Sequence, residues 1–228
     1  MAFARYVETN KPTGLELTAA SPMSGPYDIS GVQSKAMVEE YPYPSYLPYL
    51  LNAYQEVYKI VDDGQKIYKE PYDSIVEVYY TGEHTMFKVN KMLPKVPIEM
   101  VTDTFKHLFL TDPEFKMHYA VKDNNVYDWK PEKPLQLCYC KYDEQVDYRN
   151  AYVALEAMKK TGSDKVFVRN GGNKFNHRDC AVVTFAYSKF FFDSFRNGSE
   201  KGNKGNVGKR MAVGIYKGFV KPSPNLKK

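Results

Sequence analysis

The chain has 228 residues, 43% of them hydrophobic, which suits one core with or without an insertion. No apolar stretch approaches the length of a membrane-spanning helix, and residues 1–7 are too short for a secretory leader, with Glu8, Asn10 and Lys11 close behind. The net charge of +5 is concentrated from Arg196 onward, where only Glu200 opposes the cations, and everything before is close to neutral. A basic tail can bind nucleic acid or an anionic membrane. Gly, Asn and Lys dominate 197–209 without interleaved aromatics, so the expectation for 196–228 is a basic, disordered tail, with nucleic acid disfavoured.

Ala2–Thr9 reads as the end of a helix, with Ala2, Ala4 and Val7 small or apolar, and Leu15–Ser21 as a short buried strand. A loop rich in Gly, Pro, Ser and Asp follows over 22–31. Prolines hold 41–49 extended until Pro48, which can open a helix whose stripe runs through Leu50, Leu51, Tyr54, Val57, Tyr58 and Val61. Further helices are predicted at Tyr72–Tyr80, Thr85–Met92 and Glu99–Leu110. Asp112-Pro113-Glu114 then forms a capping signal for a helix ending near Lys122.

Beyond Pro131 the pattern changes. Leu135–Cys140 reads as strand, Tyr148–Lys160 as amphipathic helix ended by Gly162, Lys165–Arg169 as strand, and Asp179–Phe195 as helix. Strand–helix alternation argues for a parallel α/β sheet, with the helical block of about one hundred residues inserted between two of its strands.

Cys138, Cys140 and Cys180 do not have zinc spacing, and the expectation is buried free thiols; neither metal nor cofactor is expected. Cys180 lies near His177 in sequence, but a nucleophile three residues after its own base is not a recognised arrangement. The 20 tyrosines suit half-buried surfaces and pocket walls.

Two loops carry candidate chemistry. Asp143 follows the first of the two late strands, and His177 follows the second after the turn Gly171-Gly172. An acid after one strand and a His after the next is the back half of a Ser…Asp…His order, in which the acid fixes the His tautomer. From the residues alone, Glu144 and Asp147 compete with Asp143 for the acid's part, and an Asp after a strand is also a common helix cap. His84, His107 and His118 lie in the helical block and read as surface or packing residues.

Three segments resemble the C-terminal part of an α/β-hydrolase of the secreted lipase/esterase type: LTAASPMSGPYDISG (17–31), NNVYDWKPEKPLQLCYCKYDEQVDYRNA (124–151) and GGNKFNHRDCA (171–181). The resemblance implies a partial, truncated hydrolase sheet over 1–31 and 131–195, with a helical cap over 32–130. It implies Asp143 as triad acid, His177 as general base, and Pro26, Tyr27 and Asp28 near the floor of a pocket for an ester or lipid substrate. Full-length relatives of this kind are often exported. The family's G-x-S-x-G-G nucleophile turn does not occur in this sequence. Ser21 and Ser24 lack its glycine frame. By the resemblance, the elbow and both oxyanion donors would precede Met1, as in a chain begun at an internal Met. The expectation is a chain inactive alone as a serine hydrolase, with an open sheet edge free to pair. The alternative is a non-catalytic lipid- or peptide-binding protein that uses the tyrosine-rich block or depends on a partner.

Overall fold

The structure is a computed structural model that describes residues 1–199, 202 and 205–219. In chain order the elements are α1 (Ala2–Asn10), α2 (Lys35–Val38), α3 (Tyr46–Tyr58), α4 (Tyr72–Tyr79), α5 (Met86–Asn90), α6 (Asp103–Thr111), α7 (Lys116–Asp123), β1 (Leu135–Tyr139), α8 (Arg149–Lys160), β2 (Val166–Asn170), α9 (His177–Arg196) and α10 (Val207–Phe219). They form two compact units, Ile29–Asn125 and the pair of segments Met1–Asp28 and Val126–Lys228.

In the second of these units β1 and β2 pair in parallel, Leu135 opposite Val166 through Tyr139 opposite Asn170. The segment expected as a buried strand over Leu15–Ser21 is only partly one. Leu15 is exposed, and pairing with β1 is confined to bridges at Ala20–Leu135 and Met23–Cys138. Among the described residues no strand pairs with the outer side of this segment or of β2.

Side chains alternate across β1. Leu135, Leu137 and Tyr139 pack with Ala151, Ala154 and Met158 of α8 and with Ala4 of α1. Gln136 and Cys138 belong to a polar group on the other face, where Gln136 Nε2 donates to Ser21 Oγ (3.0 Å) and Ser21 Oγ meets Ser188 Oγ of α9 (2.7 Å). Arg169 of β2 is buried between the Phe167 and Tyr187 rings, and desolvation lowers its pKa.

The unit Ile29–Asn125 has its own core, with Leu51, Val89, Met100, Val101 and Met117 fully buried. Several tyrosines serve that core: Tyr58 donates to Asp123 (2.6 Å), Tyr68 to Asn52 (2.6 Å) and Tyr80 to the Ser45 carbonyl (2.9 Å).

Helix boundaries differ from the sequence reading for local reasons. α3 starts at Tyr46, placing Pro48 in its first turn, where a missing N–H costs nothing. The expected helix Glu99–Leu110 is interrupted because residues 100–102 pair with 67–69 instead (Lys69 N to Met100 O, 3.1 Å; Thr102 N to Ile67 O, 2.9 Å); α6 begins only after Thr102, whose hydroxyl caps it. Asp112 Oδ1 accepts from Glu114 N (2.9 Å), so the capping signal makes a turn and α7 starts at Lys116. The expectation of disorder is corrected over Val207–Phe219, which is helix α10. Apolar residues there repeat at helical spacing, so the segment is amphipathic and packs on α9 through Val213. The rest of the expected tail, 200, 201, 203, 204 and 220–228, lies outside the described residues.

Candidate active site

The two loops that follow β1 and β2 meet. Asp143 sits just past β1, and its side chain is 1% exposed. Its Oδ1 accepts from the backbone N–H groups of Gln145 (3.0 Å) and Val146 (2.9 Å), which fixes the turn. His177 occupies the first turn of α9, and its Nδ1 lies 3.0 Å from Asp143 Oδ1 and 2.9 Å from Oδ2. The His177 side chain is 34% exposed.

The helix start holds the ring in place. The first N–H groups of a helix have no partner within it. Here Asn176 Oδ1 accepts from Asp179 N (2.7 Å), and Glu144 Oε2 accepts from His177 N (2.9 Å). Glu144 therefore holds the His177 backbone and Asp143 its ring. Asp147 is occupied elsewhere, paired with Arg149. The three acids that compete in sequence thus divide into ring partner, backbone anchor and helix-start ion pair.

The hydrogen bond that His177 donates to Asp143 raises the His177 pKa above its ordinary value; burial opposes this, and the charges of Asp143 and Glu144 add to it. With Nδ1 committed to the carboxylate, Nε2 is the nitrogen available for proton transfer.

Glycine is required behind this site. Gly171 N donates to Tyr139 O (2.7 Å), and a Cβ at Gly171 would meet Cys140 Sγ at 2.7 Å. At Gly172 a Cβ would meet the Phe175 ring at 2.6 Å.

The expectation of three free thiols is corrected. Cys140 and Cys180 form a disulfide (Cα–Cα 5.8 Å), and only Cys138 is free. The bond joins the end of β1, three residues before Asp143, to α9, three residues after His177. Sequence reasoning missed it because the partners are 40 residues apart and only the tertiary fold brings them together. Cys180 therefore has no thiol to offer. Burial pushes the Cys138 thiol up, with Ser21 and Arg169 among the groups opposing.

Among the expected pocket residues, Pro26 is exposed, while Tyr27 and Asp28 are buried. Tyr27 packs in the core with Ala4, Trp129 and Leu135; desolvation raises its pKa, and its hydroxyl has no hydrogen-bond partner among the described residues. Asp28 N donates to Asn150 Oδ1 (2.9 Å). Tyr27 and Asp28 thus hold the junction where the chain leaves the sheet unit.

Neither candidate serine bonds to His177: Ser21 Oγ is paired with Ser188, and Ser24 Oγ lies 3.7 Å from Cys180 Sγ. Among the described residues, no cluster of His, Cys, Asp and Glu has the makings of a metal site.

The chain superposes on several solved structures. A protein of Legionella pneumophila assigned as a hydrolase matches with a TM-score of 0.75 and 23% identity, over 86% of this chain and 53% of the other. The rice cell wall degrading esterase LipA of Xanthomonas oryzae matches with a TM-score of 0.69 and 21% identity, over 83% of this chain and 54% of the other. This chain has a partial α/β-hydrolase fold. Candida antarctica lipase A in its closed state shares the fold more distantly, with a TM-score of 0.59 and 14% identity, over 88% of this chain and 46% of the lipase. The chain spans about half the length of the structures it matches. No protein-family model matches the sequence, and no curated protein matches it significantly.

Proposed function

We propose that this chain carries the acid–base half of a serine carboxylic-ester hydrolase, with His177 as general base and Asp143 as the acid that orients it. The observation that carries the reading is the contact of His177 Nδ1 with both oxygens of a carboxylate that is itself 1% exposed. The esterase and lipase folds of the matching structures support it.

The chemistry follows from the geometry. Asp143 keeps the proton on Nδ1, so Nε2 accepts the proton of an attacking serine hydroxyl as the Oγ–C bond forms. The imidazolium is stabilised by the same carboxylate and returns its proton to the leaving alkoxide. Water then repeats the cycle on the acyl-enzyme. The nucleophile and the oxyanion N–H groups belong, in this reading, to a segment outside the present sequence, which contains no G-x-S-x-G. The unit Ile29–Asn125 is proposed as the substrate-admitting cap, for an ester with an apolar acyl chain.

The reading predicts that a fluorophosphonate probe leaves the purified 228-residue chain unlabelled. Restoring a segment with a G-x-S-x-G-G turn, in cis or in trans, creates labelling at that serine. His177→Ala then lowers labelling by about 10³-fold or more. Labelling at a serine of this chain alone would sink the proposal, as would full labelling of the restored His177→Ala variant.

A further inference from the structure

Helix α10 has one side docked and the other bare. Inward, Val213 is 8% exposed and packs with Cys140, Phe175, Cys180 and Val183. Lys209 pairs with Asp193 (3.5 Å), and Lys217 donates to the Tyr187 hydroxyl (2.9 Å). Outward, Val207, Met211, Ile215 and Phe219 recur every fourth residue and are 61%, 61%, 58% and 82% exposed. At about 100° per residue, this row and the small residues Gly208, Ala212, Gly214 and Gly218 beside it cover about 160° of the helix surface. That arc contains no charged or polar side chain. Nothing lies within 4 Å of where a Cβ would stand on Gly214 or Gly218, so the face is open.

The charge of the sequence segment that contains it is one-sided. Residues 196–228 carry nine Lys and Arg against one acid, whereas residues 1–195 carry 23 against 26. On the helical wheel Arg210 follows the apolar arc on one side and Tyr216 on the other, and Lys209 and Lys217 lie beyond them toward the docked side. A short helix with a continuous apolar arc and Lys and Arg on its other face is what a lipid–water boundary selects, with apolar side chains among the acyl chains and cations at the phosphates. At about 1.5 Å per residue, thirteen residues reach about 20 Å, too short to cross a bilayer, so the helix would lie in its plane. No helix among the described residues is long and apolar enough to cross a membrane.

We infer that α10 docks this chain on an anionic lipid bilayer, with Val207, Met211, Ile215 and Phe219 entering the acyl boundary and Arg210 meeting phosphate. The inference does not rest on the hydrolytic reading, since a chain that performs no acyl transfer would bind the same surface.

The test is flotation of the full chain with vesicles of phosphatidylcholine mixed with phosphatidylglycerol, against phosphatidylcholine alone. The expected result is binding at least about tenfold tighter to the anionic vesicles at low salt, weakening as salt is added. A Met211→Ser/Ile215→Ser variant is expected to lose at least about tenfold of that binding, with helicity unchanged by circular dichroism. Arg210→Gln flattens the salt dependence. Ile215→Trp supplies a second reading that needs no loss of function: its emission shifts to the blue on anionic vesicles, while Trp129 stays buried in the core. Equal binding of wild type and the double serine variant overturns the inference, as does Ile215→Trp emission that does not move. A dimer that the double variant dissolves, without vesicle binding, would assign the face to a second copy. Salt-sensitive retention on duplex DNA in place of vesicles would assign the basic segment to nucleic acid.

Discussion

Asp143 holds a turn and a ring at once. Oδ1 accepts two backbone N–H groups while both oxygens face His177 Nδ1, so an amide that keeps the turn points its N–H toward Nδ1 and favours the other His tautomer. The pKa of His177 is raised in the folded chain, first by this hydrogen bond. The sign of its effect on stability follows by linkage. The pair stabilises the fold fully below the unfolded His value of about 6.5 and loses that contribution as pH rises through the higher folded value. Proton acceptance runs the other way and becomes available as pH rises through the same folded value. We predict that the His177 C2–H resonance, assigned by its loss in His177→Ala, titrates above about 6.5 in the wild type and moves down in Asp143→Asn. An unchanged midpoint in Asp143→Asn would show that the carboxylate does not govern the ring. At this scale the sequence singled out two loops that meet in the structure but left three acids open. Asp143, Glu144 and Asp147 lie within five residues, and only the tertiary structure gives each a separate partner.

The elements that carry the pair, β1 and α9, are joined covalently behind it. Cys140 and Cys180 stand three residues from Asp143 and His177, so the disulfide restrains the distance between the two loops. Closing a loop with a sequence separation of 40 residues stabilises by about 4 kcal/mol in the chain-entropy estimate. We expect a Cys140→Ser/Cys180→Ser variant to unfold at lower urea, by up to that amount, with the wild type under reductant behaving alike. Coincident unfolding curves for the wild type with and without reductant would refute it. Alternation predicts that Cys138 and Cys140 share a face, but it does not say which of them meets Cys180. That choice is made where α9 starts, since Asn176 and Glu144 fix the first turn and thereby Cys180, while Cys138 remains among Ser21, Gln136 and Arg169. Element type was legible along nearly the whole chain because apolar spacing reports it. Ends were less so: the turn signal at Asp112 and the pairing of 100–102 with 67–69 involve backbone partners that periodicity does not register.

At the level of the whole molecule, the unit Ile29–Asn125 enters and leaves the sheet unit at one place. Val126 N donates to Tyr27 O at 3.0 Å, so the two ends of the flanking chain are already adjacent. The insert has its own core, and so does the sheet unit. We therefore predict that replacing 29–125 with a short Gly/Ser linker leaves a sheet unit that still unfolds cooperatively, forms the Cys140–Cys180 disulfide and keeps the raised His177 titration. A molten product without near-ultraviolet circular dichroism would show instead that the sheet unit depends on the insert.

Alternating runs of strand and helix, the glycine turn before His177 and an acid one loop earlier are local properties. Period and turn chemistry therefore sufficed to read an α/β sheet, while the roles of the two loops came from the resemblance. Three things depended on contacts between residues far apart in the chain: which acid meets the imidazole, which cysteines bond, and that residues 207–219 fold back onto α9 as a helix. Each of those contacts gains its free energy only when the sheet and α9 are already packed, and sequence spacing carries no record of that packing.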